Sequence, residues 1–244
     1  MRIGAAIALL VAMVFATSCS SGLFRQYEYE EDIYLALDGS ATVYVNASLA
    51  ALNALRGTSF DESPSADVDR DAVRAFYTAP GLEVTSVTQS RRSGRRFAHV
   101  RLSVDPITHL ASAAPFTWST YSFEQQGELF VYRQTLGASA GKAVGDVGWT
   151  GDEIAAFRLH LPSRIVYHNA GPGNPKRGNI LVWEQPLATR LRGEPLVLDA
   201  RMESQSILYT TLYLFGATAL LVALVFAVIL WWVVKYAGRA VSKM

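Results

Sequence analysis

Hydrophobic and polar residues alternate in the first segment that is predicted to belong to a folded domain, residues 26–37. One parity is mostly apolar, with Tyr27, Tyr29, Ile33, Leu35 and Leu37, and the other carries Glu28, Glu30 and Asp32. Asp38-Gly39 is a hairpin turn signal, after which Ala41, Val43 and Val45 line one side of a partner strand. The pattern predicts a β-hairpin with one buried face.

Helical spacing follows this hairpin. Three leucines recur at three-residue intervals from Leu49 to Leu55, and the pattern stops at Gly57. A second helix is predicted at residues 69–77, because an acidic run precedes it and Pro80-Gly81 follows it.

The rest of the domain is dominated by strand patterns. Two further hairpins are predicted around Ser93-Gly94 and Gln126-Gly127, with strands at residues 82–91, 95–104, 120–125 and 128–136. A short helix is a candidate at residues 106–113, and later strands are expected at residues 154–161, 164–168, 179–184 and 196–202. This order favours an α+β fold with a mostly antiparallel sheet and a few short helices.

Residues 207–234 form an apolar run without charge or proline. A helix of this length reaches roughly 40 Å, enough to cross about 30 Å of hydrocarbon with tilt. Tyrosines lie near one end and tryptophans near the other, where a membrane has its interfaces. A buried soluble helix is the alternative, but such a helix usually has a polar stripe. The run therefore predicts a C-terminal transmembrane helix.

The charges beside this helix predict its orientation. Lys235, Arg239 and Lys243 follow it, whereas the residues that precede it have no basic excess. The positive-inside rule places the basic tail, residues 235–244, in the cytoplasm. The domain at residues 19–206 is then expected on the extracytoplasmic side of the inner membrane.

The N-terminus agrees with export. Arg2 precedes an apolar core at residues 3–15, and the small residues Ala16, Thr17 and Ser18 come next. This predicts a signal peptide at residues 1–18. Cys19, the single cysteine, follows directly, and here the chain resembles a bacterial lipoprotein precursor, which implies acylation of the Cys19 thiol. Ala16 stands where those precursors usually have leucine, and an ordinary cleavage site that leaves a free thiol is the alternative.

The charge balance changes which ligands are expected. Of 22 basic and 21 acidic residues, four basic ones and no acidic ones lie outside residues 20–206, so the domain has a net charge of −3 with histidine neutral. A nucleic-acid binder would need a basic face. We therefore expect no nucleic-acid partner.

Taken together, these features resemble the LppM-type lipoproteins, the group also called DUF3153. The resemblance rests on the signal peptide with Cys19, the segment Leu37-Asp38-Gly39-Ser40, the segment GNILVWE at residues 178–184, and the single C-terminal span with its basic tail. It implies a membrane-tethered α+β domain with suspected binding of envelope lipids or glycolipids. The resemblance implies no catalytic residue in this chain.

A cluster of four arginines is the first candidate binding site. Arg91, Arg92, Arg95 and Arg96 flank the predicted turn at Ser93-Gly94, where side chains are expected to splay into solvent. Arginine binds phosphate through two parallel hydrogen bonds, so the cluster is a candidate headgroup site. The alternative is a polar turn that protects the sheet from aggregation.

The segment from Gly137 to Gly151 contains five glycines and one large aromatic residue, Trp149. It is expected to be flexible, because glycine allows the backbone many conformations. It fails as a phosphate-binding loop, since its spacing is one residue short and Ala143 replaces the required hydroxyl residue. It could be a lid over an apolar pocket with Trp149 as its anchor, or a surface loop with Trp149 tucked against the core.

The four histidines do not show a metal-binding spacing on a helix. His160 and His168, which could face each other across Pro162-Ser163, are the best metal candidates, and we expect neither a metal nor a cofactor. No nucleophile motif and no acid/base pair stands out, so an enzyme is not expected.

Within the span, Gly216, Ala219, Ala223 and Ala227 follow one helical face. Small residues at this spacing let a second helix approach, so a partner helix or a homo-oligomer is a hypothesis. Two functions remain: an exported domain that binds lipid or glycolipid, and a structural or assembly subunit of an envelope complex.

Overall fold

The computed structural model describes residues 25–65, 67–176 and 178–241. The signal peptide at residues 1–18, Cys19 and the last three residues of the tail lie outside the described residues.

Within those ranges the chain forms ten strands, four α-helices and two short 3-10 helices. The strands are β1 (Tyr27–Leu35), β2 (Ala41–Ser48), β3 (Leu82–Arg92), β4 (Arg95–Val104), β5 (Ser119–Gln126), β6 (Leu129–Leu136), β7 (Ile154–His160), β8 (Ser163–His168), β9 (Ile180–Pro186) and β10 (Leu196–Ser206). The helices are α1 (Leu49–Arg56), α2 (Arg70–Tyr77), α3 (Leu187–Leu191) and α4 (Ile207–Val241). The helix expected at residues 106–113 is instead two 3-10 helices, Ile107–Ser112 and Ala114–Phe116.

The strands form two sheets. The larger has the order β3-β4-β2-β1-β7-β9 and the smaller β5-β6-β10-β8. All strand pairs are antiparallel except β1 with β7. The predicted α+β class with mostly antiparallel pairing is therefore confirmed.

The core lies where the inner faces of these sheets and the short helices meet. Ile33 of β1 faces Val43 of β2, and Val43 faces Leu102 of β4, so the alternation seen in the sequence becomes one apolar face. Side chains of β1 also contact β5 and β6, since Glu31 accepts hydrogen bonds from Tyr121 and Gln134. The two sheets thus pack on each other through their inner faces.

Local signals explain the bounds of α1. The Ser48 hydroxyl accepts a hydrogen bond from the backbone N–H of Ala51 at 3.0 Å and caps the start of the helix. Gly57 ends it in the left-handed conformation, with φ of 74°, and its N–H bonds the carbonyl of Asn53 at 2.9 Å.

Helix α4 begins at the residue after β10 ends. Its segment Thr211–Val233 is 23 residues long, apolar and unburied, and it is long enough to cross a membrane. The smaller sheet is therefore joined to this helix without an intervening loop.

Candidate functional site

The arginine cluster lies at the β3–β4 turn, as predicted, with Ser93 and Gly94 at positive φ. Arg91 and Arg92 are exposed, but Arg95 and Arg96 are only 9% and 5% exposed. The expectation that all four splay into solvent is therefore wrong for Arg95 and Arg96. Each arginine donates a hydrogen bond to a backbone carbonyl of another segment: Arg91 to Pro64, Arg92 to Tyr27, Arg95 to Gly148 and Arg96 to Asp61.

Arg95 uses all of its donors within the protein. Its Nε and Nη2 bond Oε1 of Glu28 at 3.0 and 2.9 Å, and Nη2 also bonds Oε1 of Gln26 at 2.9 Å. Its Nη1 bonds the carbonyls of Val147 and Gly148 at 3.3 and 2.9 Å. A guanidinium has five N–H groups, so a phosphate could bind Arg95 only by displacing one of these partners.

Trp149 shares a partner with Arg95. Its indole Nε1 donates to Oε2 of Glu28 at 3.2 Å, and the half-buried ring packs against the core. This position matches the alternative in which Trp149 is tucked against the core. Glu28, which the sequence did not single out, thus joins the arginine cluster to the glycine-rich segment.

The glycine-rich segment, residues 137–151, has no regular secondary structure but is hydrogen-bonded along its length, and we call it the strap. The backbone N–H groups of Ala140 and Lys142 bond the carbonyls of Leu55 and Ala54 at 2.9 and 3.1 Å. These carbonyls belong to the last turn of α1, where carbonyls have no backbone N–H partner within the helix. The strap therefore completes the end of α1.

The strap, the arginines and the start of α1 enclose a cleft of about 300 Å³. We call it the distal cleft. Its lining includes Glu62 and Asp146 as well as Arg95 and Arg96. The two carboxylates on its walls disfavour the binding of a phosphate group in this cleft, because like charges repel each other in a partly desolvated site.

A second cavity lies where the domain meets α4. Its volume is about 690 Å³, and we call it the junction groove. It is mostly apolar, and it is lined by Leu37, Ser204, Gln205, Ser206, Tyr209, Leu212 and Tyr213.

The two cavities lie at opposite ends of β1. Arg92 bonds the carbonyl of Tyr27 at the start of this strand, whereas Leu37 follows its end. β1 itself has nine residues of extended chain, which corresponds to roughly 30 Å. The arginine cluster is thus far from the start of α4.

The small residues of α4 lie on an exposed face. Gly216, Ala219, Ala223 and Ala227 are all exposed, and a shallow groove of about 490 Å³ runs past Gly216 between Tyr213 and Leu224. A second helix could approach this face, and that contact stays a prediction.

His160 and His168 do not form the expected pair. His160 ends β7, which pairs with β1 and β9, and its ring stacks on Tyr34 at 3.8 Å between centroids. His168 lies in β8 of the other sheet, which pairs with β10. The hairpin that would bring the two rings together does not form, because β7 and β8 join different sheets. Across residues 25–65, 67–176 and 178–241 no group of three or more histidine, cysteine or acidic side chains could hold a metal ion.

Sequence reasoning also missed a buried carboxyl group. Glu31 is 1% exposed, and it accepts hydrogen bonds from the hydroxyls of Tyr29 and Tyr121 at 3.1 and 3.2 Å and from Nε2 of Gln134 at 2.9 Å. Burial raises the pKa of Glu31, and these hydrogen bonds oppose the rise only in part. The signal was present in the sequence, since Glu31 shares the parity of Tyr29 and Ile33.

A positive charge lies near Glu31. Burial lowers the pKa of Arg56 to about 10, and the negative charge of Glu31 is among the groups that counteract this shift. The Arg56 guanidinium lies 3.6 Å from the centroid of the Trp118 ring. The interior between the sheets therefore contains a polar cluster within an apolar core.

Comparison with known proteins gives one structural similarity. No family model matches the sequence, and no curated protein matches it. The chain is similar to the NMR structure of the folded domain of LppM from Mycobacterium tuberculosis, with 12% identity and a TM-score of 0.42 over 75% of this chain and 94% of that one. Membership of the LppM group stays a prediction from the sequence.

Proposed function

We propose that this is a membrane-anchored cell-envelope protein whose exported domain binds a lipid or glycolipid at the junction groove. The observation that carries the proposal is the position of this groove. It opens where β10 passes directly into α4, at the level where an apolar, membrane-length helix leaves the domain.

The lining of the groove changes from mostly polar at the end of β10 to apolar in α4. Leu212 and Tyr213 belong to the span Thr211–Val233, whereas Ser204 and Ser206 belong to the end of β10. In a bilayer the lower part would contact acyl chains, and the hydroxyls above would lie among headgroups. An amphipathic lipid matches both parts.

The inner faces of the strands favour a surface site over an internal lipid cavity. Val43, Leu102 and Leu159 are at most 1% exposed and pack in one continuous cluster with both sheets. Side chains at native packing density leave no room for an acyl chain. We therefore assign the acyl chain to the groove.

The arginine cluster is not part of this proposal. It lies at the other end of β1 from the groove, a separation of about 30 Å, and Arg95 is already paired with Glu28.

We propose an inner-membrane location with the tail in the cytoplasm, as the flanking charges indicate, and acylation of Cys19 as a second attachment. We propose binding rather than catalysis as the role of the domain.

Native mass spectrometry of the full-length protein, released from membranes in mild detergent, tests lipid binding. We expect about one retained lipid per chain. Replacing half-buried Leu37 by glutamine should reduce retention several-fold, because apolar contact area is lost. Val197→Gln is the matched control, since Val197 is 41% exposed at the other end of β10 and should not change retention. Wild-type protein that carries no lipid would contradict the proposal.

A second candidate function is an assembly subunit of an envelope complex. The exposed face of Gly216, Ala219, Ala223 and Ala227 favours it. Crosslinking in native membranes should then give a stoichiometric protein partner. Ala219→Leu with Ala223→Leu should abolish the crosslink, while Thr218→Leu, on the other side of the helix, should keep it. A crosslink that survives the double substitution would argue against this face.

A further inference from the structure

The end of the domain next to α4 is built from three turns. Leu37, in the β1–β2 turn, lines the junction groove together with the first turns of α4. The β5–β6 turn lies beside it, because the N–H of Ser204 bonds the carbonyl of Glu128 at 3.2 Å. The β7–β8 turn is there as well, since Ser163 pairs with Ser206. These turns would face lipid headgroups if α4 crosses a membrane.

The charges on this end are mostly negative. Three exposed carboxylates lie on the turns and strand ends beside the groove, and we call them the acidic collar: Asp38, Asp105 and Glu128. Asp105 belongs to this set because the N–H of Ile107, two residues on, bonds the carbonyl of Gly39 at 2.8 Å. The basic residue of the β7–β8 turn, Arg164, is already paired with Glu203 of β10.

One member of the collar, Asp38, has local hydrogen-bond partners. The pKa of Asp38 is lowered by hydrogen bonds from the hydroxyl and backbone N–H of Ser40, which favour its charged form.

Such a surface discriminates between lipid headgroups. An anionic headgroup would be repelled, just as basic segments are attracted to anionic lipids. A headgroup with a primary amine can donate hydrogen bonds to carboxylates and gains Coulomb energy from them. The Ser204 hydroxyl and the Gln205 amide at the rim of the groove can bond the phosphate and ester oxygens of the same lipid.

We propose that the junction groove takes a zwitterionic, amine-bearing phospholipid such as phosphatidylethanolamine in preference to an anionic one such as phosphatidylglycerol. The inference rests on the proposed lipid binding and specifies its headgroup. It also separates two ends of the domain by charge: the acidic collar beside α4, and the exposed Arg91 and Arg92 at the far end of β1.

Photocrosslinking in vesicles tests the preference. The full-length protein is reconstituted into equal amounts of the two phospholipids, with a trace of either one carrying a diazirine on its acyl chain. Crosslinks are mapped by mass spectrometry. We expect the ethanolamine probe to label residues 204–213 about fivefold more than the glycerol probe. Glu128→Lys should reduce this ratio to near unity, and Asp152→Lys, the same charge change at the exposed start of β7, should leave it unchanged.

The outcomes separate the two proposals. Equal labelling of the groove by both probes, or more by the glycerol probe, overturns the headgroup preference and leaves lipid binding intact. If neither probe labels the groove above the level of the lipid-facing middle of α4, lipid binding at this site fails as well. A protein–protein crosslink between two copies through residues 204–213 would show that a second chain fills the groove, and it would overturn both.

Discussion

Arg95 and Glu28 form a buried ion pair between strands that are not neighbours. Nη2 of Arg95 lies 2.9 Å from Oε1 of Glu28, and the two side chains are 9% and 1% exposed. β4 and β1 flank β2, so the pair crosses the end of β2 where α1 begins. Because Trp149 bonds the other carboxylate oxygen, this pair also fixes the strap.

Arg95→Ala should destabilise the domain strongly. It leaves the Glu28 carboxylate buried without its cation, which costs about 3 kcal/mol, or roughly 6–12 °C in the unfolding midpoint. Circular dichroism of the full-length protein in detergent measures this shift. Hydrogen exchange should also accelerate at residues 145–151, where the strap loses its bonds to Arg95.

Arg92→Ala is the matched control for Arg95→Ala. Arg92 is exposed and bonds one backbone carbonyl, so its loss should cost about 1 kcal/mol or less. Equal effects of the two substitutions would show that the Arg95 pair does not hold the strap.

Glu31 should make stability depend on pH. Its folded-state pKa is raised above the ordinary value of 4.5, so the folded protein binds this proton more tightly than the unfolded chain does. Its stabilising contribution is complete below pH 4.5 and is lost as the pH rises through the folded pKa. Glu31→Gln should remove this loss, and thermal unfolding from pH 4 to pH 9 measures it.

Glu31→Ala provides the contrast to Glu31→Gln. It leaves Tyr29, Tyr121 and Gln134 without their acceptor and creates a cavity, so it should destabilise at every pH by about 3 kcal/mol. A pH profile of Glu31→Gln that is parallel to that of the wild type would contradict the assigned role of Glu31.

Gly57→Ala should cost about 1–2 kcal/mol, because Gly57 has φ of 74° and an L-residue is strained there. An added Cβ would also lie 3.3 Å from Cβ of Ala140 in the strap. At Gly145 an added Cβ meets no atom within 4 Å, so Gly145→Ala should be neutral. Urea unfolding of both variants measures the difference, and equal midpoints would show that a side chain at position 57 is not strained in the left-handed conformation.

The orientation of α4 can be tested by cysteine labelling. In a Cys19→Ser background, Asp152→Cys should react with a membrane-impermeant maleimide on intact spheroplasts, because the domain is expected outside. Ser242→Cys should react only after the membrane is permeabilised. Labelling of Ser242→Cys on intact spheroplasts would reverse the orientation that the flanking charges indicate.

Part of this fold could be read from local patterns. Alternation identified both strands of the first hairpin, Asp38-Gly39 identified its turn, and the apolar run after Ser206 identified α4. These features depend on residues a few positions apart, for which periodicity and turn chemistry are sufficient. The five-residue helix α3 was not predicted, since short elements carry little periodicity. The division into two sheets was not predicted either, since it depends on which distant strands pair.

The candidate sites were less predictable. The arginine cluster was placed at the correct turn, but the inward direction of Arg95 depends on Glu28, which is 67 residues away in the sequence. Glu31 has its amide partner at a separation of 103 residues. Leu37 and Tyr213 line one groove although 176 positions separate them in the numbering.

The sequence by itself determined the strands, their turns, the α+β class and a helix of membrane length, because each follows from the spacing of apolar residues along a short stretch of chain. Only the tertiary structure decided that Arg95 and Glu31 are buried with partners and that a groove opens beside α4. Burial and pairing are set by contacts between distant segments, and these depend on how the sheets pack on each other.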